Sequence, residues 1–379
     1  MYAWISAALV FLIANAAGAM TFQFISTRAL RVADISADGS TVVYASINSG
    51  GGGSVDLVDV ETGQQSFVTG IGDRFFNPAI SGDGSIVQGA RNLGGGPQSL
   101  FEYANGTLNE IGLTTRAPRA LSDDGTISAG FEGIEGPVNG VMATRTTGGV
   151  NGTTELLGDL PGGLTSSIAW DLSGDGGIVI GQGSSAQGTE AFRWEAGTMS
   201  GLGDLPGGGF GSVAYGISQD GTTIVGAGTS ATNTEAFRWR NGMMTSLGSL
   251  SGGSGFSESQ AVSADGSVVV GNSVNSSNTS AAFVWDSAHG MREVSVLLAA
   301  LGVDLDALGI ELFGALGVSA DGRTIVGIGY QGIFLDPEFG FPDLGVEELI
   351  WIATVPEPTV GVLLGLGLAG LGWRRGRIR

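Results

Sequence analysis

A short phrase with a fixed pattern of hydrophobic and polar residues recurs seven times along the chain. Each copy has an aliphatic residue, Ser, any residue, Asp and Gly, followed by a β-branched run that usually ends at Gly. The copies begin at Ile35, Ile80, Leu121, Leu172, Ile217, Val262 and Val318. The Asp residues are spaced by 45, 41, 51, 45, 45 and 56 residues, which indicates an internal structural repeat.

The phrase predicts a hairpin between two strands. Asp-Gly between extended runs favours a type I′ turn, in which both central residues have positive φ. In the fifth copy, residues 214–218 and 222–226 are the predicted first and second strands, and residues 236–239 and 243–247 supply a third and a fourth. Four short strands per repeat of this length are typical of a β-propeller blade.

Small residues and Asp occupy the position two before each repeat Ser, whereas the position directly before it is always Ile, Leu or Val. The residues two before the repeat Ser are Asp34, Ala79, Ala120, Asp171, Gly216, Ala261 and Gly317. This alternation fits an innermost strand that packs against the neighbouring blade close to the propeller axis, where the blades converge and little space is left for side chains. Asp34 and Asp171 are expected near the central channel and are candidate ligands there, including for a cation.

The sequence also predicts how the ring closes. The seventh repeat has two strands and a third at residues 348–354, but no fourth before the C-terminal segment, while residues 21–25 form a spare strand at the other end of the chain. We expect this strand to complete the last blade and remove an exposed sheet edge. The predicted fold is an all-β, seven-bladed propeller of four-stranded blades over residues 20–354, with a short surface helix at 294–301, where Leu and Ala precede a Gly.

Residues 1–19 are typical of a secretory signal peptide. An apolar run over residues 5–13 leads into small residues, with Ala17 and Ala19 at a cleavage site before Met20. No Arg or Lys precedes the apolar run, which departs from the usual pattern, and a buried N-terminal helix is the alternative. The segment predicts handling by the Sec export machinery.

The C-terminal segment, residues 355–379, combines prolines, an apolar run and basic residues. The uncharged residues 359–373 are fewer than the roughly 20 that span a bilayer, and the Arg cluster should stay on the cytoplasmic side. The residues that carry this pattern are Pro356, Glu357, Pro358, Arg374, Arg375 and Arg377.

In this order the three features resemble the PEP-CTERM sorting signal of Gram-negative bacteria. The resemblance implies a transient inner-membrane anchor, removal of the tail by an exosortase, and delivery to a cell surface or biofilm matrix that contains exopolysaccharide. A permanent single transmembrane helix is the alternative.

A loop phrase and a strand phrase resemble another bacterial family. Gly-Asp-Leu-Pro-Gly-Gly occurs at residues 158–163 and 203–208, and Phe-Arg-Trp occurs at 192–194 and 237–239. Together they are similar to HAF repeats of bacterial extracellular proteins, and residues 290–330 resemble the final unit of such proteins. The first three repeats lack Gly-Asp-Leu-Pro, so the resemblance covers mainly residues 155–330 and implies export and repetition.

Composition narrows the functional classes. The formal charge is −20, all 16 basic residues are Arg, and four of these lie in the last six positions, which excludes the basic footprint that nucleic-acid binding needs. There is no Cys, hence no disulfide and no thiol chemistry. The single histidine, His289, precedes Gly290 in a predicted hairpin tip with no nucleophile placed beside it.

Acidic residues are the remaining candidates for chemistry. Asp159 and Asp204 lie in loops between predicted blades and are candidate ligand residues or a glycosidase-like carboxylate pair. The seven repeat Asp residues suit Ca²⁺ less well than turn formation, because bound Ca²⁺ needs six to eight converging oxygens. Three hypotheses stay open: a non-enzymatic protein that contacts exopolysaccharide, a carbohydrate-active enzyme, and a scaffold without a ligand. None requires a cofactor.

Overall fold

Seven antiparallel sheets form the blades of a β-propeller. The computed structural model describes residues 13–14, 21–27, 30–47, 53–70, 74–75, 78–92, 98–134, 140–332 and 346–354. The predicted blade number and the four strands per blade are confirmed, and each repeat phrase joins the first and second strands of one blade.

In blades 1 to 6 the strands run in chain order from the channel outward. Blade 1 consists of Leu30–Ile35, Thr41–Ile47, Gly53–Asp59 and Gln65–Gly70. Blade 2 consists of Arg74–Phe75 with Ala79–Ile80, then Ile86–Asn92, Gln98–Ala104 and Thr107–Thr114. Blade 3 consists of Arg116–Leu121, Ile127–Ile134, Gly140–Thr147 and Thr153–Leu156.

The next three blades repeat the arrangement with longer or more regular strands. Blade 4 consists of Gly162–Leu172, Ile178–Ser185, Gly188–Glu195 and Thr198–Gly201. Blade 5 consists of Gly207–Ile217, Thr223–Ser230, Thr234–Arg240 and Met243–Gly248. Blade 6 consists of Ser257–Val262, Val268–Val274, Ser280–Asp286 and Gly290–Glu293.

Blade 7 joins the two ends of the chain. Its first three strands are Ile310–Val318, Thr324–Gly332 and Val346–Thr354, and Thr21–Thr27 pairs antiparallel with the third. The predicted closure by the N-terminal strand is therefore confirmed. Ile13–Ala14 form a short fifth strand beside Thr21–Thr27, and these two residues are therefore extended rather than helical. An edge strand such as Thr21–Thr27 offers unpaired backbone groups with which a neighbouring segment can pair.

The repeat phrases form hairpins, but the predicted type I′ turn is wrong. In the first copy, Gly39 has φ 74° whereas Asp38 is not among the residues with positive φ, and the Ser36 N–H bonds the Thr41 carbonyl at 2.9 Å. The loop is wider because the Asp38 carboxylate accepts hydrogen bonds from the Ser36 hydroxyl at 2.6 Å and from the Ser40 N–H at 2.9 Å. The same bonds recur in all seven hairpins.

Glycine and an aromatic ring face each other across the second and third strands of five blades. The pairs are Gly89 with Phe101, Gly181 with Phe192, Gly226 with Phe237, Gly271 with Phe283 and Gly327 with Trp351. All five rings are fully buried, and a Cβ at Gly327 would lie 2.3 Å from a ring atom of Trp351. The glycine that closes the β-branched run thus makes room for the ring that fills the blade interface.

Two short helices, α1 (Val294–Ala300) and α2 (Leu305–Leu308), lie between blades 6 and 7. Val294, Leu298 and Leu305 are buried in the same hydrophobic cluster as Phe24 and Trp351. The predicted helix is confirmed, and its apolar side packs into the core. Among the described residues, no helix has the length and apolarity needed to cross a membrane.

Candidate functional site: the central channel

The central channel contains a cavity of about 210 Å³ that residues of all seven blades line. The residue before each repeat Ser contributes an aliphatic side chain to its middle: Ile35, Ile80, Leu121, Leu172, Ile217, Val262 and Val318. Because every innermost strand runs towards its Asp-Gly hairpin, residues after the repeat Ser lie at one end of the channel and residues before it lie at the other. We call these the hairpin end and the loop end.

The hairpin end is narrowed by hydrogen bonds between blades. Backbone bonds join the hairpins of successive blades, for example the Gly82 N–H to the Asp123 carbonyl at 3.0 Å and the Asp123 N–H to the Gly174 carbonyl at 2.8 Å. The Gln219 amide also donates to the Asp123 carboxylate at 3.0 Å, across blade 4. A Cβ at Gly174 would lie 2.4 Å from this carboxylate, so the neighbouring glycine is needed to admit it.

The loop end is lined by large side chains, four of them polar or aromatic, from the residues three before the repeat Ser. The five that line the cavity are Arg119, Trp170, Tyr215, Gln260 and Leu316, in blades 3 to 7. The equivalent residues in blades 1 and 2 are Ala33 and Pro78, both buried. The channel is therefore asymmetric, with bulky groups on one side and small ones on the other.

Three of these side chains contact one another in a row. The Arg119 guanidinium carbon lies 4.0 Å from the centre of the Trp170 ring, and the Tyr215 ring meets Trp170 edge-on at 5.5 Å between centres. The Trp170 indole N–H donates to Gln182 Oε1 at 3.4 Å. Burial raises the pKa of Tyr215 to about 12, with a further contribution from the negative charge of Glu258, so its hydroxyl is a hydrogen-bond donor at neutral pH.

Asp34 and Asp171 line the same cavity and each links two blades. Asp34 accepts the N–H of Ile35 at 2.8 Å and that of Ile80 in blade 2 at 3.4 Å. Asp171 accepts the N–H of Leu172 at 2.8 Å and that of Ile217 in blade 5 at 3.0 Å. The expectation that both lie at the channel is therefore met, but their oxygens also hold neighbouring innermost strands together.

Burial raises the pKa of both channel carboxyls. The pKa of Asp34 is about 6 and that of Asp171 about 7, because burial disfavours the charged form more than the backbone N–H groups favour it. The charges of Asp34 and Asp123 raise the pKa of Asp171 further. Near neutral pH the channel thus holds carboxyl groups that are partly protonated, and perturbed pKa values of this kind are common at functional sites.

Asp159 and Asp204 stabilise loops. The Asp159 carboxylate accepts the N–H groups of Leu160, Ser166 and Ser184 at 2.8, 2.7 and 3.3 Å. Asp204 accepts three equivalent bonds at 2.7 to 2.8 Å from Leu205, Gly211 and Thr229. Neither lines the central cavity, so the structure brings Asp34 and Asp171 to the channel but not Asp159 and Asp204.

His289 lies in an exposed hairpin tip, where its Nδ1 is 2.8 Å from an oxygen of Asp286. In the described ranges, no group of three or more His, Asp or Glu side chains is arranged to hold a metal ion. The predicted cleavage residues Ala17 and Ala19 lie outside the described residues, as do Pro356, Glu357, Pro358, Arg374, Arg375 and Arg377.

Sequence reasoning missed Arg119, Trp170, Tyr215 and Gln260. A signal for them exists, because the position three before the repeat Ser holds polar or aromatic residues in four consecutive repeats, two places before an invariably aliphatic position. In the structure each of these four residues is the extra residue of a β-bulge in its innermost strand, and it lines the cavity together with the aliphatic residue two places further on.

These features define the protein as a closed β-propeller with a lined channel. Residues 354–377 match the PEP-CTERM protein-sorting motif, which implies export, membrane-associated sorting and processing by an exosortase. The match covers the tail and not the propeller. The comparison with curated proteins gave no match.

Two solved structures with TM-scores of 0.50 or more support the propeller fold. The β-propeller domain of the Trilobed protease from Pyrococcus furiosus, described as having an open velcro topology, is 10% identical with a TM-score of 0.53, over 75% of this chain and 95% of that one. An acylaminoacyl peptidase from Pyrococcus horikoshii is 10% identical with a TM-score of 0.50, over 89% and 54%. TolB from Acinetobacter baumannii is 14% identical with a TM-score of 0.44, and the match spans 62% of this chain and 61% of that protein. At these identities the similarity concerns the fold alone.

Proposed function

We propose that this protein is an exported surface or matrix protein that binds a carbohydrate at the loop end of its central channel and does not catalyse a reaction. In this proposal residues 1–19 are a signal peptide for Sec export, residues 20–354 are the HAF-like propeller, and residues 355–379 are a transient inner-membrane anchor that an exosortase removes. The cell is a Gram-negative bacterium, and exopolysaccharide is the natural source of the carbohydrate.

The observation that carries the proposal is the group of Arg119, Trp170, Tyr215 and Gln260 around one cavity. Aromatic rings offer apolar faces and edges for sugar C–H groups, and the Tyr hydroxyl, amide and guanidinium supply hydrogen bonds to sugar hydroxyls. A cavity of about 210 Å³ is smaller than the ~300–1,000 Å³ of sites for drug-sized ligands. A single sugar unit, such as a chain end or a branch, is therefore the size of ligand we propose.

A glycan array probed with the full-length chain in mild detergent tests this proposal. We expect binding to a defined set of glycans, and loss of that binding in Trp170→Ala and Tyr215→Ala. Trp285→Ala is the matched control, because Trp285 also lies near an arginine, Arg238 at 5.9 Å, but does not line the cavity. Absence of binding to any glycan, or equal loss in the control variant, would refute the proposal.

A carbohydrate-active enzyme is the second candidate, favoured by the raised pKa values of Asp34 and Asp171. A carboxyl group with a pKa near neutral is suited to general acid catalysis. Against this, each of the two carboxylates already accepts two backbone N–H groups. Release of reducing sugar from bound glycans, abolished by Asp171→Asn, would favour the enzyme over the binding protein.

A further inference from the structure

Arg119 is held in the channel wall by two aromatic rings. Its guanidinium carbon lies 4.0 Å from the centre of the Trp170 ring in blade 4 and 5.2 Å from that of Phe131 in its own blade. Stacking on rings fixes the plane of a guanidinium while leaving its N–H edges available. The side chain is therefore positioned in advance for a partner in the cavity.

Within the described part of the chain, Arg119 has no acidic partner. The ion pairs found there involve Arg91, Arg145, Arg193, Arg292, Arg323 and His289. The Nε atom of Arg119 is buried and has no hydrogen-bond partner. Burial lowers the pKa of Arg119 to about 10, which still leaves it charged at neutral pH. An unpaired charge that is partly removed from water is costly, so a counter-charge at this point would be favoured.

The channel carboxylates do not supply that counter-charge, because no ion pair joins any of them to Arg119 among the described residues. Asp34 and Asp171 accept backbone N–H groups, and Asp123 accepts the Gln219 amide at the hairpin end. Arg119 belongs to the loop end, three residues before Ser122, whereas Asp123 directly follows Ser122. Among the described residues that line the cavity, Arg119 is the one basic residue, and the acidic Asp123 lies at the opposite end of the channel.

Building on the proposed function, we infer that the sugar unit bound in the channel is a uronic acid whose carboxylate pairs with Arg119. A planar carboxylate matches the fork of N–H groups on a guanidinium, which can donate two parallel hydrogen bonds. The hydroxyl groups of the same sugar would donate to the carboxylates deeper in the channel. Arg119 is then the residue that selects an acidic sugar over a neutral one.

Calorimetric titration of the full-length chain with three matched pairs of sugars tests this inference. The pairs are glucuronate with glucose, galacturonate with galactose, and mannuronate with mannose, each as the methyl glycoside, and the members of a pair differ only at C6. We expect at least one uronate to bind about tenfold or more tightly than its neutral counterpart, since a hydrogen bond to a charged group is worth that much. Arg119→Met should weaken binding of the uronate far more than binding of the neutral sugar, so that the preference disappears, and Arg119→Lys should keep part of it.

Arg238→Met is the matched control, because the Arg238 Nε is also buried without a hydrogen-bond partner and its guanidinium lies near Trp285, away from the cavity. This variant should keep the full preference. If neutral sugars bind as tightly as uronates in all three pairs, the inference is wrong while the proposed function stands. If no sugar binds here and the glycan array is also negative, both fail. If the preference for a uronate persists in Arg119→Met, another residue binds the carboxylate and the inference about Arg119 is wrong.

Discussion

Asp34 and Asp171 should make the propeller less stable as pH rises through neutrality. Both carboxyls line the channel, and their pKa values in the folded protein are about 6 and about 7 against 3.8 in an unperturbed Asp. An acid whose pKa is raised by folding contributes stability that is complete below the unfolded pKa and is lost as pH rises through the folded pKa. The window for these two groups therefore runs from about pH 4 to about pH 7.

The size of the effect follows from these values. Between pH 5 and pH 8, ionisation of Asp34 and Asp171 removes up to about 4 kcal/mol from the free energy of unfolding, and Asp171 accounts for most of it. Water that enters the channel screens part of this, so we expect a decrease of roughly 2 kcal/mol. The hairpin carboxyls act outside this window. The hydrogen bond from Ser122 lowers the pKa of Asp124, so its contribution is lost only as pH falls below about 4.

Urea denaturation of the full-length chain at pH 5, 6, 7 and 8 measures this slope. The measurement should be repeated in 0.5 M NaCl, which screens the surface charge of a chain at −20 more than it affects the half-buried carboxyls of the channel. Asp171→Asn should flatten the slope between pH 6 and pH 8, whatever it does to the absolute stability. Asp124→Asn should leave the slope unchanged. Stability that is constant or rises from pH 5 to pH 8 would contradict the reasoning.

Two further predictions concern the closing strand and the hairpins, and both use thermal and urea unfolding as the measurement. Phe24→Ala removes a ring that is 2% exposed in the strand that closes blade 7, and it should cost about 3–5 kcal/mol. As a control, Phe67→Ala removes a ring that is 67% exposed and should lower the free energy of unfolding by less than about 0.5 kcal/mol. If the two variants lose the same stability, closure by the N-terminal strand is not a source of stability. Gly221→Ala combines φ +71° with a Cβ 2.4 Å from Ile178, and should cost about 2–4 kcal/mol. Gly242 has φ +78°, but no atom lies within 4 Å of a Cβ built there, so Gly242→Ala should cost only about 1 kcal/mol. If Gly242→Ala costs as much as Gly221→Ala, packing between blades does not explain the loss at Gly221.

The sequence predicted the blade architecture because its determinants are local and repeated. Each Ser-x-Asp-Gly phrase places a reversal between two extended runs, and seven copies fix the number of blades without knowledge of any long-range contact. Closure was also predictable, since the last repeat lacks a strand that residues 21–25 can supply. The turn type was not, because Asp-Gly by itself favours a two-residue loop, whereas the Ser hydroxyl and the Asp carboxylate together hold a wider one.

The composition of the channel was decided by the tertiary structure. Arg119, Trp170 and Tyr215 are 51 and 45 residues apart in the sequence and meet only because consecutive blades set their innermost strands side by side. The raised pKa values of Asp34 and Asp171 likewise come from burial between blades, which a local pattern does not encode. The number of repeats therefore determines the number of blades. The residues that vary between the repeats form a candidate binding site only because the closed ring places them around one central channel.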